Sequence, residues 1–159
     1  MADITSSENR SRMMSGIRAK NTRPEMQVRR ALFERGFRYR LHSRALPGTP
    51  DLVLRRYGAV VFVHGCFWHG HDCSFFRWPA TRPEFWRTKI TRNREVDGEA
   101  RIKLRAAGWR VLTVWECALR GRTDEQCHAV YDAAADWMRG TVAELELDWQ
   151  LGDRHDPER

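Results

Sequence analysis

Ala59-Val-Val-Phe-Val63 is the longest unbroken apolar run in the chain. With His64 it reads as a strand, and Asp51-Leu-Val-Leu-Arg55 reads as the strand before it. The link through Tyr57-Gly58 is short enough to make the two a hairpin. Phe37-Arg-Tyr-Arg-Leu41 alternates apolar and polar residues, as a half-buried strand does. Trp109-Arg-Val-Leu-Thr-Val-Trp115 supplies a further apolar strand. Helical spacing appears in three places. A first helix is expected from about Pro24 to Arg35, with Val28, Ala31 and Leu32 as its apolar stripe. Pro24 suits its first turn and Gly36 its end. Thr81-Arg-Pro-Glu84 has the form of a capping box, opening a long basic helix that ends before Gly108. Thr123-Asp-Glu-Gln126 caps a last helix, whose Cys127, Val130, Ala134, Trp137 and Met138 fall on one stripe.

The order helix, three strands, helix, strand, helix predicts an α/β fold with a mixed sheet. At 159 residues the chain makes one domain with its own core. That domain is assigned to residues 22–140. Residues 1–21 form a basic arm whose one large apolar cluster is Met13, Met14 and Ile17. Residues 141–159 form an acidic, weakly patterned tail, expected to be partly disordered from about Leu145.

Composition narrows the class. Hydrophobic residues at 42% and charged residues at 31% fit a soluble globular protein. The apolar runs are too short for a membrane helix, and the N-terminus carries no secretory signal. The expected place is the cytoplasm, where thiols stay reduced. Four cysteines there point to metal before disulfides. The net charge of +7 is unevenly spread. Residues 1–40 and 77–110 each hold ten Lys/Arg against four Asp/Glu, whereas residues 123–159 hold three against ten. Two basic segments of this kind steer a phosphate backbone to their surface. Arginine outnumbers lysine, and arginine both pairs bidentately with phosphate and stacks on bases. Nucleic acid is therefore the expected partner.

The densest chemistry lies in His64-Gly-Cys-Phe-Trp-His-Gly-His-Asp-Cys73. Thiolate and imidazole are zinc's ligands, and a structural site takes four. Cys66 and Cys73 bracket His69 and His71. Cys117 supplies a distant fourth ligand if the 109–115 strand lies beside 59–64. Spacing alone does not choose between the two histidines, which share a face if they stand two residues apart on an extended segment. Cys127 fits the apolar stripe of its helix and belongs to the core.

A second feature is Pro50-Asp51, an aspartate opening a strand after a tight turn. A carboxylate placed there can hold Mg²⁺. Asp51 alone would be an ordinary turn residue. Its company changes that: His64 ends the next strand, His69 follows, and Glu25 stands in the first turn of the first helix. The third feature is aromatic. Eight of the seventeen aromatic residues fall between Phe62 and Trp86. Phe67 and Trp68, held between metal ligands, cannot easily turn inward together. Apolar wedges of this type insert between base steps and kink DNA. Some of Phe75, Phe76, Trp78 and Phe85 serve instead as a satellite core.

These strings resemble one family, the very-short-patch-repair (Vsr) mismatch endonucleases of bacteria, over roughly residues 7–140. The likeness rests on Pro47-Gly-Thr-Pro-Asp51, the 64–73 string, Pro79-Ala-Thr-Arg-Pro-Glu-Phe-Trp86 and Val114-Trp-Glu-Cys-Ala-Leu-Arg-Gly121. It implies a restriction-endonuclease-like mixed sheet flanked by helices, with a structural zinc site. The usual acidic-x-Lys motif of that fold is absent, since Phe62 and His64 stand at its positions. Vsr proteins share this departure.

By the same resemblance, Asp51 binds Mg²⁺ and the backbone carbonyl of Val63 shares the ion. His69 is the general base, oriented by Asp97. His64 stabilises charge at the phosphate, and Glu25 holds water bound to the metal. Zinc falls to Cys66, His71, Cys73 and Cys117. Phe67, Trp68 and Trp86 wedge into the duplex, opposed by Met14 of the arm. Gly70 replaces a histidine common in the family string. The implied reaction is Mg²⁺-dependent nicking of double-stranded DNA 5′ of the T in a T:G mismatch left by 5-methylcytosine deamination. The expected context is a methylation site such as CC(A/T)GG. A monomer is expected, with mismatch-repair proteins as partners. The rivals are a restriction-type or general endonuclease of the same fold, and a zinc-stabilised DNA-binding module without catalysis.

Overall fold

A computed structural model describes residues 20–153. Five strands form one sheet in the order β1-β2-β3-β4-β5. They span Arg40–Leu41 (β1), Leu52–Leu54 (β2), Ala59–His64 (β3), Arg110–Trp115 (β4) and Glu144–Leu147 (β5). β1, β2 and β3 pair antiparallel, while β3, β4 and β5 run parallel, so the sheet is mixed. Helix α1 (Arg23–Glu34) precedes the sheet. Helix α2 (Pro83–Ala106) lies between β3 and β4 in the chain, α3 (Asp124–Arg139) between β4 and β5, and a short α4 (Trp149–Asp153) follows.

The period-two pattern of the strands decides the layers. Leu52, Leu54, Val61, Leu112 and Val114 face a core shared with Val28 and Leu32 of α1 and Val130, Ala134 and Met138 of α3. The intervening Val53, Val60, Phe62 and Val111 face the other way and pack with Leu104 of α2. Helices therefore cover both faces, as parallel strands require. Cys127 lies in the first core. Among the described residues, no helix is long and apolar enough to cross a membrane.

Four expectations need correction. The strand predicted over 37–41 shrinks to Arg40–Leu41. Phe37 instead completes the end of α1, its N–H donating to Leu32 O while Gly36, at φ 91°, donates to Phe33 O. This is the paired bonding of a helix closed by a left-handed glycine, and it leaves Phe37 fully buried. The cap of α2 is Arg82, not Thr81, and it makes no side-chain cap bond. Pro83 takes the first helical position, which shifts the cap one residue past the Thr81 box. His69 and His71 do not lie on an extended segment, because turns fold residues 65–73. Finally, the acidic segment after Gly140 is not all tail. Glu-Leu-Glu-Leu147 adds β5 to the free edge of β4, with Leu145 and Leu147 on the core side. Glu144 and Glu146 face Arg101 and Arg105 of α2. The expected boundary at 141 thus cuts through the sheet. Met14 and residues 154–159 lie outside the described residues.

Candidate active site and metal centre

The parallel pairing of β3 with β4 sets His64 opposite Trp115, so both chains leave the sheet at the same end. Cys66 and Cys117, two residues further on in each, become neighbours. The Cys117 N–H donates to Cys66 Sγ at 3.3 Å. The turn after β3 then brings the rest. His69 N–H donates to Gly65 O, Gly70 N–H to Phe67 O, and His71 N–H to Cys66 O. Gly70 sits at φ 58°, a left-handed conformation that glycine adopts without strain. A Cβ there would also lie 2.6 Å from Ile90 Cγ2, so the turn packs against α2 only with glycine. The two flanking histidines enter different clusters.

His71 joins Cys66, Cys73 and Cys117, whose ligating atoms all lie within 4.8 Å of one another. Cys66 and Cys117 are buried, and all four cysteines of the chain are free thiols. A side-chain bond between the two sulfurs, together with burial, pushes the Cys66 thiol up, and the same side-chain bond draws Cys117 down to about 6. Three thiols, two of them buried, and an imidazole around one point make a poor apolar core and a fitting four-ligand set for a soft cation. His71 also stacks on Trp115, with centroids 4.1 Å apart.

His69 joins His64 and Asp97. Its Nδ1 lies 2.5 Å from Asp97 Oδ2 on α2. A carboxylate only accepts, so Nδ1 carries a proton, and in the neutral ring Nε2 then keeps a free lone pair. The His69 and His64 rings stack at 3.9 Å, almost parallel. His64 is drawn down to about 3, first by burial and then by His69 beside it. It is therefore neutral at pH 7, with an N–H rather than a charge to offer. α2 grips this turn in other places too: Asn93 donates to Trp68 O, and Arg94 to the carbonyls of His69 and Gly70.

The third cluster is Glu25, His42 and Asp51. Asp51 Oδ2 accepts from the Val63 backbone N–H at 2.7 Å. Its carboxyl is pushed up to about 6, mainly by burial and then by the Glu25 charge, against the Val63 bond and nearby His42 and His69. Glu25 is only 1% exposed, so it is not a surface capping residue. The carboxylates of buried Glu25 and half-buried Asp51 come within 4.8 Å of each other, and such an oxygen-rich donor set fits a hard divalent cation. His42 escaped sequence reasoning. It carries no motif, and β1–β2 pairing alone brings it to Asp51. Its one available signal was its place beside the turn that delivers Asp51.

Phe67, Trp68 and Trp86 form one aromatic group, with centroids 5.3 to 5.8 Å apart. They are half-buried. Trp78 and Phe85 are exposed, with Arg87 and Arg82 respectively over their rings. Phe75 packs on the cysteine cluster as satellite core.

A family model described as "DNA mismatch endonuclease Vsr" matches residues 2–75. The chain is 42% identical to the DNA mismatch endonuclease Vsr of Escherichia coli (strain K12) over 150 residues, covering 94% of this chain and 96% of that protein. It belongs to the Vsr DNA mismatch endonuclease family. Other relatives are named nicking enzymes. The chain is 49% identical to the type II nicking enzyme V.XorIIP of Xanthomonas oryzae pv. oryzae (75% of this chain, 88% of that protein). It is 44% identical to V.NmeAIP of Neisseria meningitidis serogroup A (77% and 87%). A Vsr protein is a DNA endonuclease, a hydrolase of phosphodiester bonds.

Proposed function

We propose that this Vsr protein nicks double-stranded DNA 5′ of the T in T:G mismatches arising from 5-methylcytosine deamination, on a restriction-endonuclease-like scaffold. The observation that carries the reading is the His69–Asp97 pair, 2.5 Å apart, beside half-buried Asp51 and buried Glu25. Asp51 would hold Mg²⁺, which neutralises charge on the scissile phosphate. In a strand the N–H and C=O of one residue face the same edge, so the Val63 carbonyl faces the corner that its N–H shares with Asp51.

The residues of the chain do the rest. Asp97 fixes His69 with Nε2 unprotonated, and Nε2 takes a proton from the attacking water. Neutral His64, stacked on His69, donates to a phosphate oxygen. Glu25 accepts from water at the same corner and keeps its own carboxylate fixed by the Asn21 N–H at 2.9 Å. Cys66, His71, Cys73 and Cys117 would hold zinc with no open position, which makes that ion structural. Phe67, Trp68 and Trp86 would enter the base stack, and Met14 would press from the opposite groove. A T:G wobble stacks weakly and costs less to wedge open than a normal pair.

The test is cleavage of end-labelled duplexes with Mg²⁺, using T:G in CT(A/T)GG context, the matched C:G duplex and T:G in unrelated sequence. A nick in the first alone is the expected result. Nicking T:G everywhere would keep the reaction and discard the context. Cutting every duplex alike would favour a general endonuclease, and binding without cutting a non-catalytic module.

A further inference from the structure

Three polar groups close the corner where Asp51 leaves the turn, and two of them belong to the carboxylate pair. The third is His42. Its Nε2 lies 2.6 Å from Glu25 Oε1 and 3.9 Å from Asp51 Oδ1. Glu25 Oε2 is already held by the Asn21 N–H, and Arg29 approaches Oε1 only at 3.7 Å. His42 is thus the close side-chain donor among the described partners of the Glu25 carboxylate. Its backbone sits at φ 46°, where a side chain is strained. That conformation is held by the His42 N–H donating to Asp51 O, a bond that continues the β1–β2 ladder. Strain of this kind persists where the surroundings impose it, and it gathers at working sites.

We propose that His42 is a positioning residue of the cation site, bridging Glu25 of helix α1 to Asp51 of the sheet. The inference rests on the reading of Asp51 as a divalent-cation ligand. The carboxylate accepts, so Nε2 carries the proton and donates to Glu25 Oε1. This bond fixes where the second carboxylate points. It also places a polar donor between two groups that repel each other. Removing outer partners of a metal site typically costs 10- to 100-fold in metal affinity. A residue acting in this way touches neither substrate nor reacting atoms, so duplex affinity should not depend on it.

The probe is Mn²⁺, titrated into the full zinc-loaded chain and followed by the EPR signal of free ion. His42→Ala and His42→Asn should bind Mn²⁺ about tenfold more weakly than wild type. Gln can bring an amide N–H to the place of Nε2, so His42→Gln should stay within about threefold. Nicking should fall through kcat and a raised Mg²⁺ requirement, with KM for the duplex unchanged. In a Glu25→Gln background the His42→Ala penalty should vanish, because the residue acts through Glu25. If His42→Ala does not fold, the contrast between Gln and Asn decides. Should Asp51→Ala lose Mn²⁺ while the Ala and Asn variants bind like wild type, the inference fails alone. Should wild type fail to bind Mn²⁺, or Asp51→Ala bind it undiminished, the cation-site reading fails and takes the inference with it.

Discussion

Trp115 separates two clusters that draw on one ten-residue string. His71 lies flat against its indole, while His64 and His69 meet it at a steep angle. The first cluster takes three of its four members from residues 66–73, and only Cys117 arrives from elsewhere. The second side gathers Glu25 from a helix, His42 and Asp51 from a hairpin edge, and Asp97 from another helix. Their chemistry differs as their origins do. Soft donors that close around a point leave nothing for a substrate to do, so the cysteine side holds the turn together. Hard oxygens and half-open imidazoles leave room for a phosphate and a water, so the carboxylate side can react. Under the proposed function, the density of ligand residues in this sequence marks the structural centre better than the catalytic one.

The two sides part most visibly at Cys117. Cys117→Ser should release bound metal and leave the chain unfolded at 25 °C, because structural zinc supplies roughly 10 kcal/mol of folding free energy. Metal content by colorimetric chelation and far-UV circular dichroism check this. A folded variant with full zinc removes Cys117 from the ligand set. On the reactive side the damage should be confined to rate. Asp51→Ala should lower nicking about 10³-fold or more while fluorescence anisotropy shows near-normal duplex binding. Surviving cleavage would mean that the reactive corner lies elsewhere.

A smaller loss sharpens the role of the tautomer. Asp97→Asn lets Nδ1 of His69 act as the acceptor and puts the proton on Nε2, so the rate should fall roughly 10²-fold with the fold intact. An unchanged kcat would deny His69 its role as base. Trp86→Ala should weaken binding to a T:G duplex by roughly tenfold, since stacking of an aromatic on a base contributes about 1–3 kcal/mol. Equal affinity in a titration would show that the aromatic group does not enter the stack.

The smallest effect is thermal. Asp51 is raised from 3.8 to about 6 in the folded state. Between those values the folded chain holds more protons than the unfolded one, so this group's contribution to stability falls as pH rises towards 6. Asp51→Asn should therefore gain about 2 kcal/mol above pH 6 without added divalent cation, and almost nothing near pH 4. A melting temperature equal to wild type at pH 8 would show that the carboxylate is not strained by its surroundings. His64 acts in the opposite sense. Drawn down to about 3, it stays neutral while the unfolded chain takes a proton below 6.5, so acidification through that value destabilises the fold.

Much of the fold was legible because the strands and helices carry strong periods. Val60 and Val61 turn to opposite faces of the sheet, and Val28 and Leu32 mark the inner side of α1, as alternation and helical spacing demand. The capping box at Thr123 was equally plain, since both of its bonds are local. What escaped was either short or non-local. Glu-Leu-Glu-Leu147 alternates cleanly, but four residues with two acids look like surface until the edge of β4 needs a partner. His42 had only its place beside the turn before Asp51 to announce it.

By itself the sequence determined which residue types stood ready: thiols and imidazoles in one string, an aspartate at a turn, glycine where the chain must reverse, and apolar periods that can build only a covered sheet. Only the tertiary structure decided how they divide. The parallel register of β3 and β4 brought Cys117 to Cys66. The left-handed turn at Gly70 sent His69 and His71 apart, and α1 buried Glu25 against His42 and Asp51. Spacing along a chain limits only near neighbours. Distances between helices, strand ends and hairpin edges are set by how the core packs.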